Sequence, residues 1–235
     1  MSDVENGAPN APQDADTTAA PQAEAPSGAA AQTDKGTPAA RPVVGRLVPG
    51  ETAGAAEPAI LLRELQIAAV LEVGAWPNRL EPVANRLSEL AGTILPGRPG
   101  RFSESDTALV GWVAFGRFIY VAASSEETAR VDEALDTDDA AVVDLGPARR
   151  ALHVGGSEAA ALLNKAVAID FDPRAFPPGS LAQAVIHQIP VIILRRNEDG
   201  FDLLVPTSLA DALIEWLTDA ALEFGYRVAE PVAMM

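Results

Sequence analysis

The run from Asp170 to Gly225, DFDPRAFPPGSLAQAVIHQIPVIILRRNEDGFDLLVPTSLADALIEWLTDAALEFG, constrains this chain most. It reads as a rigid loop, two or three strands and a long amphipathic helix. Leu181–His187, Val191–Leu194 and Phe201–Val205 carry strand patterns. Leu209, Leu213, Trp216, Leu217, Ala220 and Phe224 then line one helical face, which Gly225 ends. Thr207 or Ser208 is expected to cap this helix, with Asp211 completing a Ser-x-x-Asp box. No plausible set of catalytic or metal-binding side chains lies in the segment, which looks built to fold and dock.

Upstream, Ile67–Trp76 is a strand, followed by a helix with Leu80, Val83, Ala84, Leu87 and Leu90 on one face and Gly92 at its end. Ala108–Phe115 and Arg117–Ala123 form a hairpin about Gly116. Ser124 and Glu127 read as a capping box for a helix through Leu135, and Ala140–Leu145 is a strand. This β-α-β-β-α-β order is the split βαβ arrangement of ferredoxin-like folds. A second unit of similar order starts with the strand Arg149–Val154 and a helix holding Leu162 and Leu163. The expected class is α+β: one domain over residues 58–230, with halves at about 65–145 and 146–226. Residues 1–57 are Ala/Pro-rich and acidic, and their first forty hold few large apolar side chains. They are expected to be a disordered tail, with Val43, Val44, Leu47 and Val48 either a docking segment or a stickier piece of it.

The formal charge of −16 opposes binding to nucleic acid and to anionic membranes. With no Cys, disulfides, thiolate chemistry and Cys-based metal sites are excluded, and two His leave little for a His-rich site. The acidic N-terminus lacks a basic region followed by an apolar one, so no signal peptide is expected. No apolar run approaches the ~20 residues of a spanning helix. A soluble, cytoplasmic protein is expected.

Each candidate for chemistry has a plainer reading. Gly155-Gly156 fits a tight β–α turn better than a phosphate cradle, because no complete nucleotide-binding motif is present. His153 and His187 have no catalytic partner at a known spacing. Asp170 and Asp172 suit turn positions as well as acid–base work, and the acids of Glu126–Asp144 lack a calcium-loop pattern. Pro178-Gly179 fits a type II turn. Phe171, Phe176 and Pro178 stiffen their loop; the two rings either pin it to the core or anchor a partner. Asp211, Glu215, Asp219 and Glu223 recur every four residues, without basic neighbours in sequence. This stripe is either a solvated face or one that meets a basic partner. These seven residues are the candidate interface; no catalytic, cofactor-binding or metal-binding residue is assigned.

Three segments, LHVGGSEAAALLNKAVAIDFDP, AFPPGS and FDLLVPTSLADALIEWL, resemble the gamma subunit of heterotetrameric sarcosine oxidase. Pro206 and Ser208 match that family's closing motif, and Thr207 stands where it often has Arg. The resemblance covers about three quarters of the chain and excludes the tail. N-methylglutamate dehydrogenase has a similar subunit. The resemblance implies a fold like the folate-binding aminomethyltransferase of the glycine cleavage system. It also implies assembly with alpha, beta and delta subunits, which carry FAD, FMN, NAD, zinc and the tetrahydrofolate site. The complex would oxidatively demethylate sarcosine to glycine and pass one carbon to tetrahydrofolate, with no cofactor on this chain. A stand-alone folate-dependent aminomethyltransferase on the same fold is the alternative of another class. It would need a carboxylate on a strand by the folate site, and His187–Leu194 offers none.

Overall fold

The structure, a computed structural model, describes residues 46–234. The described chain runs β1 (Thr52–Ala53), β2 (Ile60–Gln66), β3 (Ala69–Ala75), α1 (Leu80–Ala91), β4 (Arg101–Glu104), β5 (Ala108–Ala114), β6 (Arg117–Ala122), α2 (Glu126–Ala134) and β7 (Ala140–Asp144). It continues β8 (Arg149–Gly155), α3 (Ala159–Asn164), β9 (Leu181–Ile186), β10 (Ile189–Asn197), β11 (Gly200–Pro206), α4 (Ala210–Ala221), β12 (Tyr226–Val228) and β13 (Val232–Ala233). Short 3-10 turns precede β8 and α4.

Two sheets result. The first has strand order β4-β5-β6-β3-β7. Without β4, this is the split βαβ order expected for residues 67–145: β6 lies between β3 and β5, and β7 closes the far side. The second has order β1-β12-β2-β8-β11-β10-β9, with β13 also on β2. Its β8, β10, β11 and β12 repeat the same scheme, with β2 inserted between β12 and β8. The pairing shows the insertion: β2 runs parallel to β12 and antiparallel to β8.

The strands alternate, so each sheet buries two faces. Leu71, Val73, Phe118 and Tyr120 face α1 and α2, with Val83, Leu87 and Val131. Leu152, Val154, Ile193 and Leu203 face α3 and α4, with Leu162, Leu213 and Leu217. Between the sheets, Val70, Leu109, Ile119 and Val121 meet Ala151, Leu181, Ile192 and Leu204. The layers are therefore helix, sheet, sheet, helix. At one side the edge strands touch: Phe102 N–H donates to Gly179 O and Leu181 N–H to Gly100 O, each at 2.9 Å.

The helix starts differ from expectation. Neither capping box forms in full. Ser124 Oγ accepts from Glu126 N–H at 3.2 Å, so the serine half of the first box caps α2, but Glu127 accepts from Tyr120 OH at 3.2 Å instead of reaching back. Asp211 accepts from Arg150 at 2.8 Å, and α4 has no side-chain cap bond. The two acids are drawn to arginine and tyrosine side chains, Glu127 also to Arg130 one turn on, rather than to the helix start. The expected tail also reaches too far. Residues 46–57 pack on the second sheet: Leu47 is buried, β1 pairs with β12, and Tyr226 OH donates to Glu51 at 2.6 Å. Val43 and Val44, with the rest of the tail to residue 45, lie outside the described residues.

Gly156 explains the Gly155-Gly156 pair. Its φ is +105°, and a Cβ there would sit 2.1 Å from Ala59 O. The turn is glycine because β2 begins against it, and α3, only six residues long, follows.

Candidate functional site

Two arginines hold the Asp170–Ser180 loop: Arg101 on β4 donates to Ser180 Oγ at 2.8 Å and to Pro178 O at 3.2 Å, and Arg195 reaches the loop's other end. Arg195 lies on β10, 1% exposed, where the ladder with β11 is bulged. Its Nη1 donates to Phe171 O and Phe176 O, each at 2.7 Å. Nε donates to Asn197 O at 3.1 Å and Nη2 to Glu198 O. The guanidinium also lies 5.1 Å from the Phe201 ring centroid. This buried cation is thus met by four carbonyl dipoles and an aromatic face.

That arrangement corrects the expectation for Phe171 and Phe176 as partner anchors. They are 1% and 8% exposed, and Phe171 packs edge-on against both Phe176 and Phe201. The rings pin the loop to its own core, leaving Pro178 at the surface. Ser180 N–H donates to Pro177 O at 3.0 Å and Gly179 has φ +78°, the geometry of the expected type II turn. Asp170 and Asp172 accept from the backbone two residues on, at 2.9 Å each. Arg174 holds the exposed Asp172 carboxyl down to about 2, mainly through side-chain hydrogen bonding.

The acidic stripe is not uniform. Asp211 pairs with Arg150 at 2.8 Å, and Glu223, just beyond α4, pairs with Lys165 at 2.9 Å. Stripe positions without basic neighbours in sequence thus acquire them from β8 and from the turn after α3. Glu215 and Asp219 have no cationic partner among the described residues. They line a surface cavity of about 440 Å³ with His187, Ile189, Ala212 and Trp216. His187 and Gln188 form the β9–β10 turn with φ of +45° and +70°, the left-handed conformations of a type I′ hairpin turn. The turn lays the His187 ring 5.5 Å from the half-buried Trp216 ring.

A polar row missed in sequence crosses the second sheet. Arg63, His153 and Asp202 are direct cross-strand neighbours on β2, β8 and β11. His153 Nδ1 donates to Asp202 Oδ1 at 2.7 Å. Arg196 Nε lies 3.4 Å from the other Asp202 oxygen, and its Nη2 lies 2.6 Å from Glu104 on β4. The His153 ring lies over glycine: a Cβ at Gly155 would come within 2.7 Å of Nε2, and one at Gly200 within 3.1 Å of Cε1. Nearly buried Asp202 is charge-balanced by this row. A His–Asp pair can orient a general base, but no Ser or Thr hydroxyl bonds to His153 among the described residues. The sequence signal was alternation, with His153 and Asp202 both off the helix-facing set; their register was not readable.

Among the described residues no group of three or more His, Asp or Glu is gathered to hold a metal, and no helix is long and apolar enough to cross a membrane.

Comparison with known proteins places this architecture. The model of the sarcosine oxidase, gamma subunit family matches residues 88–223. The sarcosine oxidase subunit gamma of Corynebacterium sp. (strain P-1) is 32% identical over 186 residues, covering 78% of this chain and 87% of that protein. A chain of the heterotetrameric sarcosine oxidase from Corynebacterium sp. U-96, solved in complex with pyrrole 2-carboxylate, superposes with TM-score 0.66 at 27% identity. The match covers 73% of this chain and 88% of that one. The aminomethyltransferase T of the glycine cleavage system from Bartonella henselae has TM-score 0.53 at 19% identity over 74% of this chain and 48% of its own, and so shares the fold. The described α+β domain has the architecture that the sequence resemblance implied, and this chain belongs to the sarcosine oxidase, gamma subunit family.

Proposed function

We propose that this chain is a non-catalytic assembly subunit of a cytoplasmic heterotetrameric sarcosine oxidase, partnered by alpha, beta and delta subunits. The observation that carries the reading is the 32% identity to a sarcosine oxidase gamma subunit over 87% of that protein's length. The complex oxidises sarcosine to glycine and passes one carbon to tetrahydrofolate. FAD, FMN, NAD, zinc and tetrahydrofolate are held on the other subunits. The side chains support this division of labour. The Asp202 carboxylate serves His153 and Arg196, and the Arg195 guanidinium serves the Phe171 loop. The outer face of α4, carrying Asp211, Glu215 and Asp219, with Glu223 beyond it, and the exposed Pro178 turn form the interface.

Co-expression with the other subunits tests the reading. The tagged chain should retain the flavin-bearing subunits through purification, and omitting it should lower the yield of assembled, sarcosine-oxidising complex. A flavin bound stoichiometrically to this chain expressed alone would overturn the non-catalytic assignment.

A further inference from the structure

We propose that the cavity between the β9–β10 turn and α4 receives an arginine side chain from a neighbouring subunit of the complex. The inference rests on the assembly reading and adds the chemistry of one contact to it. Glu215 and Asp219 are four residues apart on α4 and line the same cavity. The acids at the two ends of the stripe have cations within this chain, from Arg150 and Lys165. Charge is therefore balanced at the ends and left open at the middle, where the cavity is. Two carboxylates at this spacing repel each other, and a shared cation reverses the sign of that interaction.

The cavity's other polar wall selects among cations. The half-buried Trp216 ring is braced by His187 at 5.5 Å, so it is held in place before anything binds. A guanidinium is planar and weakly hydrated. It can lie on an indole face while its N–H groups reach carboxylates, which a strongly hydrated ammonium does less well. Ile189 and Ala212 offer apolar contact to the aliphatic stem. The hairpin's opposite face carries a second cavity of about 310 Å³, lined by Arg149 and Gln183 as well as Val185, Pro190 and Ile192, with Val185 56% exposed. A partner that straddles the hairpin tip covers the exposed Val185 on this mixed face while its arginine enters the acidic one, giving the interface an apolar contact and an anchor. The net charge of −16 favours approach of a basic surface.

The test uses the full chain co-expressed with the other subunits, with assembly measured at low and at high salt. The double substitution Glu215→Gln, Asp219→Asn keeps shape and removes charge. It should weaken assembly about tenfold at low salt and less at high salt. Glu81→Gln, an exposed acid on α1 in the opposite helix layer, should leave assembly within about twofold. Trp216→Leu should weaken assembly at every salt concentration. Unchanged assembly of the double variant at low salt would overturn the proposal while leaving the assembly reading standing. Failure of the wild-type chain to assemble would overturn that reading, and this inference with it. All variants should keep the wild-type far-ultraviolet spectrum; collapse confined to Trp216→Leu leaves the double substitution as the deciding measurement.

Discussion

Replacing Arg195 with Met should loosen the Asp170–Ser180 loop and destabilise the domain together. Of the four carbonyls that Arg195 serves, those of Asn197 and Glu198 belong to an exposed turn and can take water instead. Those of Phe171 and Phe176 belong to residues 1% and 8% exposed. Leaving two buried acceptors without donors costs about 1–3 kcal/mol each, and losing the Phe201 contact about 0.5–2 kcal/mol. Removing a buried charge recovers part of its desolvation penalty. The balance is about 3 kcal/mol, which for a domain of this size lowers Tm by about 6–12 °C. Thermal unfolding by circular dichroism reads the first effect. Limited trypsin digestion reads the second: the Arg174 side chain is 92% exposed, but its backbone is tied where Ala175 and Phe176 N–H donate to Asp172 O. Cleavage after Arg174, followed by mass spectrometry, should be slow in wild type and fast in the variant. Arg195→Lys should recover little, because one ammonium cannot span the carbonyls. A stability loss below ~1 kcal/mol with unchanged cleavage would refute the argument that this cation holds the loop.

Deleting residues 1–57 should lower Tm by several degrees, since the cut removes buried Leu47, β1 and the Glu51–Tyr226 bond; an unchanged melting curve would mean these contacts contribute nothing. Burial, then the hydrogen bond to Glu51, pushes the Tyr226 hydroxyl up to about 12. The folded state then holds a proton that the unfolded state gives up near 10, so this contribution is complete below 10 and is lost as pH rises to 12. Urea midpoints across that window should fall more steeply for wild type than for Tyr226→Phe. Gly156→Ala, with its Cβ 2.1 Å from Ala59 O, should cost at least ~3 kcal/mol. Gly92→Ala, at φ +62° with open space around it, should cost only about 1 kcal/mol. Equal losses at the two glycines would discredit the close approach of β2 as the reason for Gly156.

Much of the fold was legible because its strands alternate and its helices repeat at 3.6 residues. The hairpin at Gly116 and the helix ended by Gly92 needed only neighbours within a few positions. β2 was not legible. Ile60, Leu61 and Leu62 are consecutive and fit no single period, and its partners β8 and β12 lie roughly 90 and 165 residues away. The loop's stiffness could be read from its prolines, but not the direction of its rings, which the distant Arg195 sets. The same limit hid the site. The acids of α4 were visible at i+4, whereas Arg150, Lys165 and the His187–Trp216 contact come from other elements. His153 and Asp202 meet because β8 and β11 pair in one register among several that the alternation allows.

The insertion of β2 between β12 and β8 sets an order for synthesis. Residues 69–144 contain every strand of the first sheet, so that sheet can close while the rest of the chain is still being made. β2 emerges earlier but must wait. One edge finds β8 only after residue 155 is available, and the other finds β12 only after residue 228. During that interval an apolar strand with unpaired edges stands beside a finished sheet, the kind of transient exposure that chaperones cover. The first described strands, β1 and β2, are paired with the last, β12 and β13, so a truncation that removes either group opens the same sheet.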